Sequence, residues 1–156
     1  MILILLCFII ASEARAFIRR PTLMLYGDFG HLAIMNSGKV ISNKRFENTA
    51  IEFVNTGDNR FLIRSLSTGF FLAPKRRNSK FVKLAGTYDK FKALEFQESA
   101  DSDHYNTYTS KIGNRTCTLI MRPSGVVGLK CRGKIRHSKF LPRRIHSKHL
   151  YSGVLN

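Results

Sequence analysis

The stretch that decides the fold begins with Leu94-Glu95-Phe96-Gln97-Glu98 and continues, after six further residues, with Tyr105-Asn106-Thr107-Tyr108. The two pieces overlap short runs, residues 93–97 and 107–110, that are apolar or alternate between apolar and polar residues. Such runs are typical of β-strands, and the Ser and Asp residues between them favour a connecting loop. The stretch therefore predicts β-structure on both sides of a connection.

Short strands are predicted along most of the chain. The runs are four to six residues long, and Gly, Asn, Asp, Pro and Ser separate them at intervals of about ten residues, which is an all-β pattern. No stretch keeps a helical period for three turns. Besides the two runs above, the predicted strands are residues 23–26, 30–35, 39–42, 50–54, 60–65, 70–73, 80–84, 117–122 and 125–130.

An internal repeat accompanies the strands. Apolar residues recur at spacings of 40 and 47 in one set and of 43 and 44 in another. Three units of about forty residues indicate a pseudo-threefold β architecture, because a propeller usually has at least about four blades. The six positions, all predicted to be buried, are Leu32, Leu72, Leu119, Phe53, Phe96 and Phe140.

The deciding stretch resembles the signature of the fibroblast growth factor family, in which an aromatic residue, any residue and Glu precede a Tyr-Asn-Thr-Tyr box by six residues. Gly38-Lys39-Val40, residues 69–73 and Phe140-Leu141-Pro142 continue the resemblance along the chain. It implies a β-trefoil of twelve short strands in three pseudo-symmetric repeats. Leu94 departs from the family pattern, since most members have Cys there.

The resemblance also implies a receptor surface. Asp103 stands where Asn is common, Met24 where a receptor-facing Tyr is frequent, and Arg143 where an apolar residue is usual. An interface of apolar anchors with one carboxylate that accepts a hydrogen bond is physically reasonable. The implied receptor-binding residues are Met24, Glu98, Asp103, Tyr105 and Leu141.

Positive charge is concentrated in the last third of the chain. The chain of 156 residues has 26 Lys and Arg against 10 Asp and Glu, a net charge of +16, and all ten acidic residues lie at or before Asp103. Residues 105–156 contain eleven Lys or Arg and no carboxylate, and such a segment attracts polyanions. On a strand its densest part, residues 130–139, would line one face, and on a Gly-containing loop it would converge on one ligand. The predicted heparan sulfate site is Arg122, Lys130, Arg132, Lys134, Arg136 and Lys139.

A second basic run is interpreted differently. Pro, Asn and Ser within residues 74–80 favour a turn, which would place Lys75, Arg76 and Arg77 on a solvated hairpin tip.

The chain begins with a predicted secretion signal. Residues 1–11 are an apolar run too short to span a bilayer, and Ala14-Arg15-Ala16 supplies small residues for cleavage after Ala16. The predicted organisation is a signal peptide at residues 1–16, an N-terminal segment at 17–21, the β-trefoil domain at 22–144 and a basic flexible tail at 145–156.

Secretion gives meaning to two further features. An oxidising compartment would allow Cys117 and Cys131 to pair, although the sequence alone leaves open whether they meet. Asn114-Arg115-Thr116 is an N-glycosylation sequon, which makes Asn114 a predicted glycosylation site.

Catalysis finds no support in the sequence. The five histidines form no HExxH motif, there is no GxSxG or phosphate-binding loop, and the last third has no carboxylate to pair with a base. We therefore predict no enzymatic activity, no catalytic residue, no metal and no cofactor.

The leading function is a secreted ligand that activates a receptor tyrosine kinase through its ectodomain, with heparan sulfate as co-receptor. One alternative is a secreted, antimicrobial-type protein that binds polyanions by charge alone. Another is a basic ribonuclease, which needs two His and one Lys around a phosphate. We predict no specific nucleic acid partner and no membrane insertion once the signal is removed.

Overall fold

Twelve β-strands, all paired antiparallel, make up most of the described chain. The structure is a computed structural model that describes residues 22–77 and 80–145; the predicted signal, the segment 17–21 and all but the first residue of the predicted tail lie outside these ranges. Single 3₁₀ turns occupy Lys90–Lys92 and Ser102–His104. The strands are β1 (Leu23–Gly27), β2 (Gly30–Ile34), β3 (Val40–Asn43), β4 (Ile51–Gly57), β5 (Arg60–Ser65), β6 (Phe71–Arg77), β7 (Phe81–Thr87), β8 (Phe96–Ala100), β9 (Asn106–Ile112), β10 (Arg115–Met121), β11 (Val127–Lys130) and β12 (Leu141–Arg144).

The prediction of an all-β protein is confirmed. Eleven of the twelve strands overlap a predicted run, and β5 has the predicted bounds. The strand that the sequence does not reveal is β12, whose composition of Leu, Pro and two Arg carries no strand signal. Its conformation comes from pairing with β1, from Leu23 opposite Arg144 to Tyr26 opposite Leu141.

The strands follow one path of neighbours, β3-β2-β1-β4-β5-β6-β7-β11-β10-β9-β8, with β12 added beside β1. A further pairing joins β5 to β8, with Arg60 opposite Gln97 and Phe61 opposite Phe96. That pairing closes the seven strands from β5 to β8 along the path into a barrel. Closure protects the sheet edges that these two strands would otherwise expose.

Five of the six predicted core positions are confirmed as fully buried: Leu32, Leu72, Leu119, Phe96 and Phe140. The sixth, Phe53, is only half-buried and packs against the outside of the core. Its ring stacks on that of Phe61 with the ring centroids 4.2 Å apart. The repeat spacing thus finds the core, but it does not distinguish a central position from one at its margin.

The predicted turn at residues 74–80 is wrong for its first half. Lys75, Arg76 and Arg77 belong to β6, which pairs with β7 up to Arg77 opposite Val82. The register shifts between Pro74 and Arg76, and a bulge of this kind accommodates a proline that cannot donate to the ladder.

Within the described ranges, no helix has the length and apolar character needed to cross a bilayer.

Candidate functional site

The β8–β9 hairpin carries the signature residues, and the conformation of its connection accounts for the Asp at position 103. Asp101 N–H donates to the carbonyl of Tyr105 at 2.7 Å, which closes the connection tightly. Asp103 and His104 both adopt left-handed backbone conformations, with φ of 62° and 66°. Asp and Asn tolerate this conformation better than most residues, so Asp103 has a backbone role of its own in the turn.

Glu98 lies on β8 with its carboxylate held by the neighbouring strand. The side-chain amide of Asn106 donates to Glu98 Oε1. Partial burial raises the pKa of the Glu98 carboxyl, and the bond from Asn106 opposes that rise. The carboxylate is thus oriented before any partner arrives, which favours a hydrogen bond to a donor on that partner.

Asn106 also joins the hairpin to the far end of the chain. Its backbone N–H donates to the carbonyl of Phe140 at 2.8 Å, and its carbonyl accepts from the Phe140 N–H at 2.9 Å. This two-bond bridge sets Tyr105, before Asn106, near Leu141, after Phe140. Both side chains are half-buried, as expected for anchors that a partner could cover.

The β1–β12 ribbon extends the same surface. Leu23 and Leu25 point into the core, whereas Met24 and Tyr26 are half-buried on the outer side. Tyr26 lies opposite Leu141, and Met24 lies opposite Arg143. Opposed residues of an antiparallel pair share a face, so the ribbon presents all four side chains outward.

We call these residues the signature face: Met24, Tyr26, Glu98, Tyr105, Asn106, Leu141 and Arg143. Four of the five predicted receptor residues are among them, and Asp103 lies in the connection between β8 and β9. Sequence reasoning missed Tyr26 and Asn106. No sequence signal distinguished Tyr26, because β1 is apolar on both faces. Asn106 could have been found, because it belongs to the Tyr-Asn-Thr-Tyr box.

Two contacts already engage parts of this face. The Arg143 guanidinium lies 4.8 Å from the centroid of the Tyr26 ring, a cation–π contact that partly covers the ring. Thr49 Oγ1, which donates to the carbonyl of Phe46 at 2.7 Å, lies 3.4 Å from the sulfur of Met24. Met24 and Arg143, the two residues that depart from the family pattern on this face, therefore each contact another side chain of the protein.

His31 is buried next to Tyr26 of the signature face, its partner in the β1–β2 ladder. Its ring packs between Tyr26 and Phe46, with centroid distances of 5.0 and 5.2 Å. Burial lowers the pKa of His31, the Asn43 backbone opposes this, and the positive charge of Arg143 lowers the pKa further. The neutral imidazole is thus the form that this aromatic layer accommodates.

We expect acid to destabilise the protein through His31. The unfolded chain binds a proton there below its ordinary pKa of 6.5, whereas the folded chain binds it only at lower pH. The unfolded state then holds more protons, so stability is full above 6.5 and falls as the pH drops towards the folded pKa, by at most about 1.4 kcal/mol per pH unit. Denaturant unfolding of the wild type and of His31→Leu across this window measures the effect. An identical pH dependence in the two proteins would contradict it.

The basic segment, residues 130–139, folds as an anchored loop after β11. The structure joins Cys131 to Cys117 in a disulfide. Cys131 N–H donates to the carbonyl of Lys80 at 3.0 Å, and Met121 N–H donates to that of His137 at 3.0 Å. These bonds fix both ends of the segment to β10 and to the start of β7, which leaves its middle to present side chains.

Two of the predicted glycan-binding residues, Lys130 and Arg122, lie beside Phe81. Lys130 lies opposite Phe81 in the β7–β11 ladder, and the Arg122 guanidinium lies 3.9 Å from the Phe81 ring centroid. Gly128 permits this arrangement, because a Cβ there would lie 2.3 Å from the ring. In the loop beyond, the exposed cations are Arg132, Lys134 and Arg136.

Carboxylates approach the basic segment in space, although none is near it in sequence. Lys139 Nζ lies 3.6 Å from Asp101 Oδ2, in the signature hairpin, and His137 Nδ1 lies 2.7 Å from Asp28 Oδ2. The segment itself contains no carboxylate, but two carboxylates from other elements approach its C-terminal end in space. The Asp101 carboxylate partly neutralises Lys139, so the cations from Lys130 to Arg136 are better placed to bind sulfate.

Asn114, the predicted glycosylation site, lies in the hairpin turn between β9 and β10. Only Gly113 and Asn114 connect the two strands, and Gly113 supplies the left-handed φ of 60° that the tight turn requires. Asn114 and Thr116 are both exposed. The sequon is thus accessible at the surface, and its glycosylation stays a prediction.

Comparison with known proteins identifies one matching family. The family model described as fibroblast growth factor matches residues 22–150. The search of curated proteins finds no match. Members of the matched family are signalling ligands rather than enzymes, need no cofactor and typically use heparan sulfate as co-receptor. Among the described residues, no group of three or more His, Cys, Asp or Glu could hold a metal ion.

Proposed function

The chain belongs to the fibroblast growth factor family, and from this premise we propose that it is a secreted ligand that binds and activates a receptor tyrosine kinase with heparan sulfate as co-receptor. The observation that carries the proposal is the bridge from Asn106 to Phe140 and Glu98. The bridge holds the β8–β9 hairpin, which carries Glu98 and Tyr105, beside β12 and so beside the β1–β12 ribbon. An enzyme of the ribonuclease type is excluded by the family.

The fold that we propose is the β-trefoil, with twelve strands in three pseudo-symmetric repeats and a domain spanning residues 22–144. Twelve strands in the described ranges and the burial of five repeat positions support it. A signal peptide at 1–16, a segment at 17–21 and a basic tail at 145–156 complete the proposed organisation. Secretion is supported by the family, whose members are generally exported.

The receptor-binding surface that we propose is the signature face with Asp103 at its edge. It combines half-buried apolar and aromatic side chains with an oriented carboxylate, which is the composition of an interface hot spot. Tyr26 joins the residues implied by the resemblance, because it lies opposite Leu141 in the ribbon and its ring contacts the Arg143 guanidinium.

The heparan sulfate site that we propose is the basic segment together with Arg122. Anchoring at both ends reduces the entropy lost when the loop binds, and Arg side chains provide bidentate contacts to sulfate. The segment adjoins the β8–β9 hairpin through the ion pair of Lys139 with Asp101. One glycan chain could thus contact the ligand and a receptor bound beside it.

Receptor phosphorylation tests this function directly. The full chain is added to cells that display a single receptor type, with and without heparin. We expect phosphorylation that requires or increases with heparin. Heparin binding without phosphorylation of any receptor type would instead favour the alternative, a cationic protein that binds polyanions by charge alone.

A further inference from the structure

A fully exposed aromatic side chain lies in the connection between β7 and β8. Phe91 is 100% exposed, and Tyr88, three residues earlier, is 70% exposed. The Tyr88 ring lies against Phe70, with ring centroids 4.2 Å apart. We call residues 88–92, with Phe70 beneath them, the aromatic turn. An exposed Phe forgoes the stabilisation that burial would give, and neither the signature face nor the basic segment includes it.

The turn is held rigidly in this exposed conformation. Asp89 Oδ1 accepts from the N–H of Phe91 at 2.9 Å, and Asp89 N–H donates to Thr87 Oγ1 at 3.1 Å. Lys92 N–H donates to the carbonyl of Asp89 at 3.1 Å, and Leu94 N–H donates to that of Leu72 at 2.9 Å. Phe91 is therefore presented outward by a capped turn, which lowers the entropic cost of binding through it.

Lysines surround the aromatic side chains. Lys90 and Lys92 flank Phe91 and are exposed. Lys39 is exposed beside Gly38, where an added Cβ would lie 3.9 Å from the ring of Phe70. The nearby carboxylate, that of Asp89, is engaged by the backbone of the turn itself. Aromatic side chains among lysines whose stems are apolar are typical of segments that lie in a membrane interface.

We propose that the aromatic turn docks onto the surface of a phospholipid bilayer, with Phe91 inserted at the boundary of headgroups and acyl chains and the lysines on lipid phosphates. Tyr88 suits the headgroup level, because its ring is apolar and its hydroxyl is polar. The docking departs from the sequence-based prediction of no membrane insertion by one turn only, and no segment spans the bilayer.

Other occupants fit the turn less well. A second copy of the chain would bring lysines against lysines on two molecules that each carry a net charge of +16. A protein hot spot is usually a central side chain surrounded by neutral contacts that exclude water, whereas Phe91 has a charged neighbour on each side. A negatively charged bilayer satisfies the lysines and the Phe together, since basic residues near it gain attraction.

Fluorescence locates the docking, because the chain has no Trp. Phe91→Trp in the full chain is mixed with vesicles of phosphatidylserine and phosphatidylcholine in equal amounts, with or without brominated acyl chains. We expect a blue-shifted emission that the brominated lipids quench. Phe46→Trp, at another loop position that is 70% exposed, serves as the matched control and should not be quenched.

Partitioning measures the contribution of Phe91. Phe91→Ala should lower vesicle binding about tenfold, the effect of losing part of a Phe side chain from the acyl boundary. Receptor phosphorylation and heparin elution should not change. Quenching of Ile135→Trp, between Lys134 and Arg136, without quenching at position 91 would overturn the proposal in favour of the basic segment. Unchanged vesicle binding by Phe91→Ala, with weaker receptor or heparin binding, would overturn it in favour of a protein or glycan partner.

Discussion

Glu98→Ala is expected to lower receptor affinity by about thirtyfold, the loss that follows when one charged hydrogen bond at an interface is removed. The carboxylate is held by Asn106 in the free protein, so a receptor donor meets an oriented acceptor. The alanine removes that acceptor and leaves the receptor donor unpaired. Surface-immobilised receptor ectodomain and the purified chain give the affinity.

Tyr105→Ala should have a comparable effect for a different reason. The half-buried ring lies beside Asn106, whose backbone pairs with Phe140, and a partner that covers it would bury its remaining apolar surface. Heparin retention should be almost unchanged in both variants, since neither residue belongs to the basic segment.

Glu95→Ala is the matched control for both. It removes a carboxylate close by in sequence, but Glu95 accepts from Thr56 Oγ1 at 3.1 Å and lies outside the signature face. Its receptor affinity should equal that of the wild type. If Glu98→Ala and Tyr105→Ala also kept wild-type affinity while folded, the receptor surface would lie elsewhere or no receptor would exist.

Local sequence patterns predict more of the fold than of the candidate receptor site. Alternation and turn residues predict eleven strands, because half-buried strands impose a period of two on the chain. They cannot predict β12, whose pairing with β1 connects residues more than a hundred positions apart. The same long-range pairing places Tyr26 opposite Leu141, which is why the resemblance to family motifs found Leu141 but no local signal indicated Tyr26.

The charged residues also differ in how far the sequence predicts them: their positions along the chain are predicted, but their contacts are not. The sequence correctly locates the basic segment, since charge density is a local property. It cannot show that Asp101 and Asp28 approach Lys139 and His137, because those contacts depend on how the β8–β9 hairpin and the β1–β2 turn pack beside the loop. Likewise, the stacking of Arg122 on Phe81 needs Gly128 in a neighbouring strand.

Neutralising Arg132, Lys134 and Arg136 together should make the protein leave heparin at much lower salt than the wild type. Each cation that replaces a counterion on a polyanion contributes about one unit to the slope of the logarithm of affinity against the logarithm of salt concentration. If all three contact sulfates, the triple variant should lose about three units of slope. Elution from immobilised heparin and affinity over a salt series measure both quantities.

The matched control neutralises Lys75, Arg76 and Arg77, and so removes the same three charges from a net charge of +16. These residues belong to β6, across the hairpin from β7, whereas the loop cations follow the disulfide-anchored Cys131 and lie beyond Lys130. A site requires cations that converge on a few sulfates, but non-specific attraction depends only on total charge. The control should therefore shift elution far less than the loop variant. Equal shifts would mean that net charge holds the glycan, because removing either set of three charges would then weaken the same diffuse attraction.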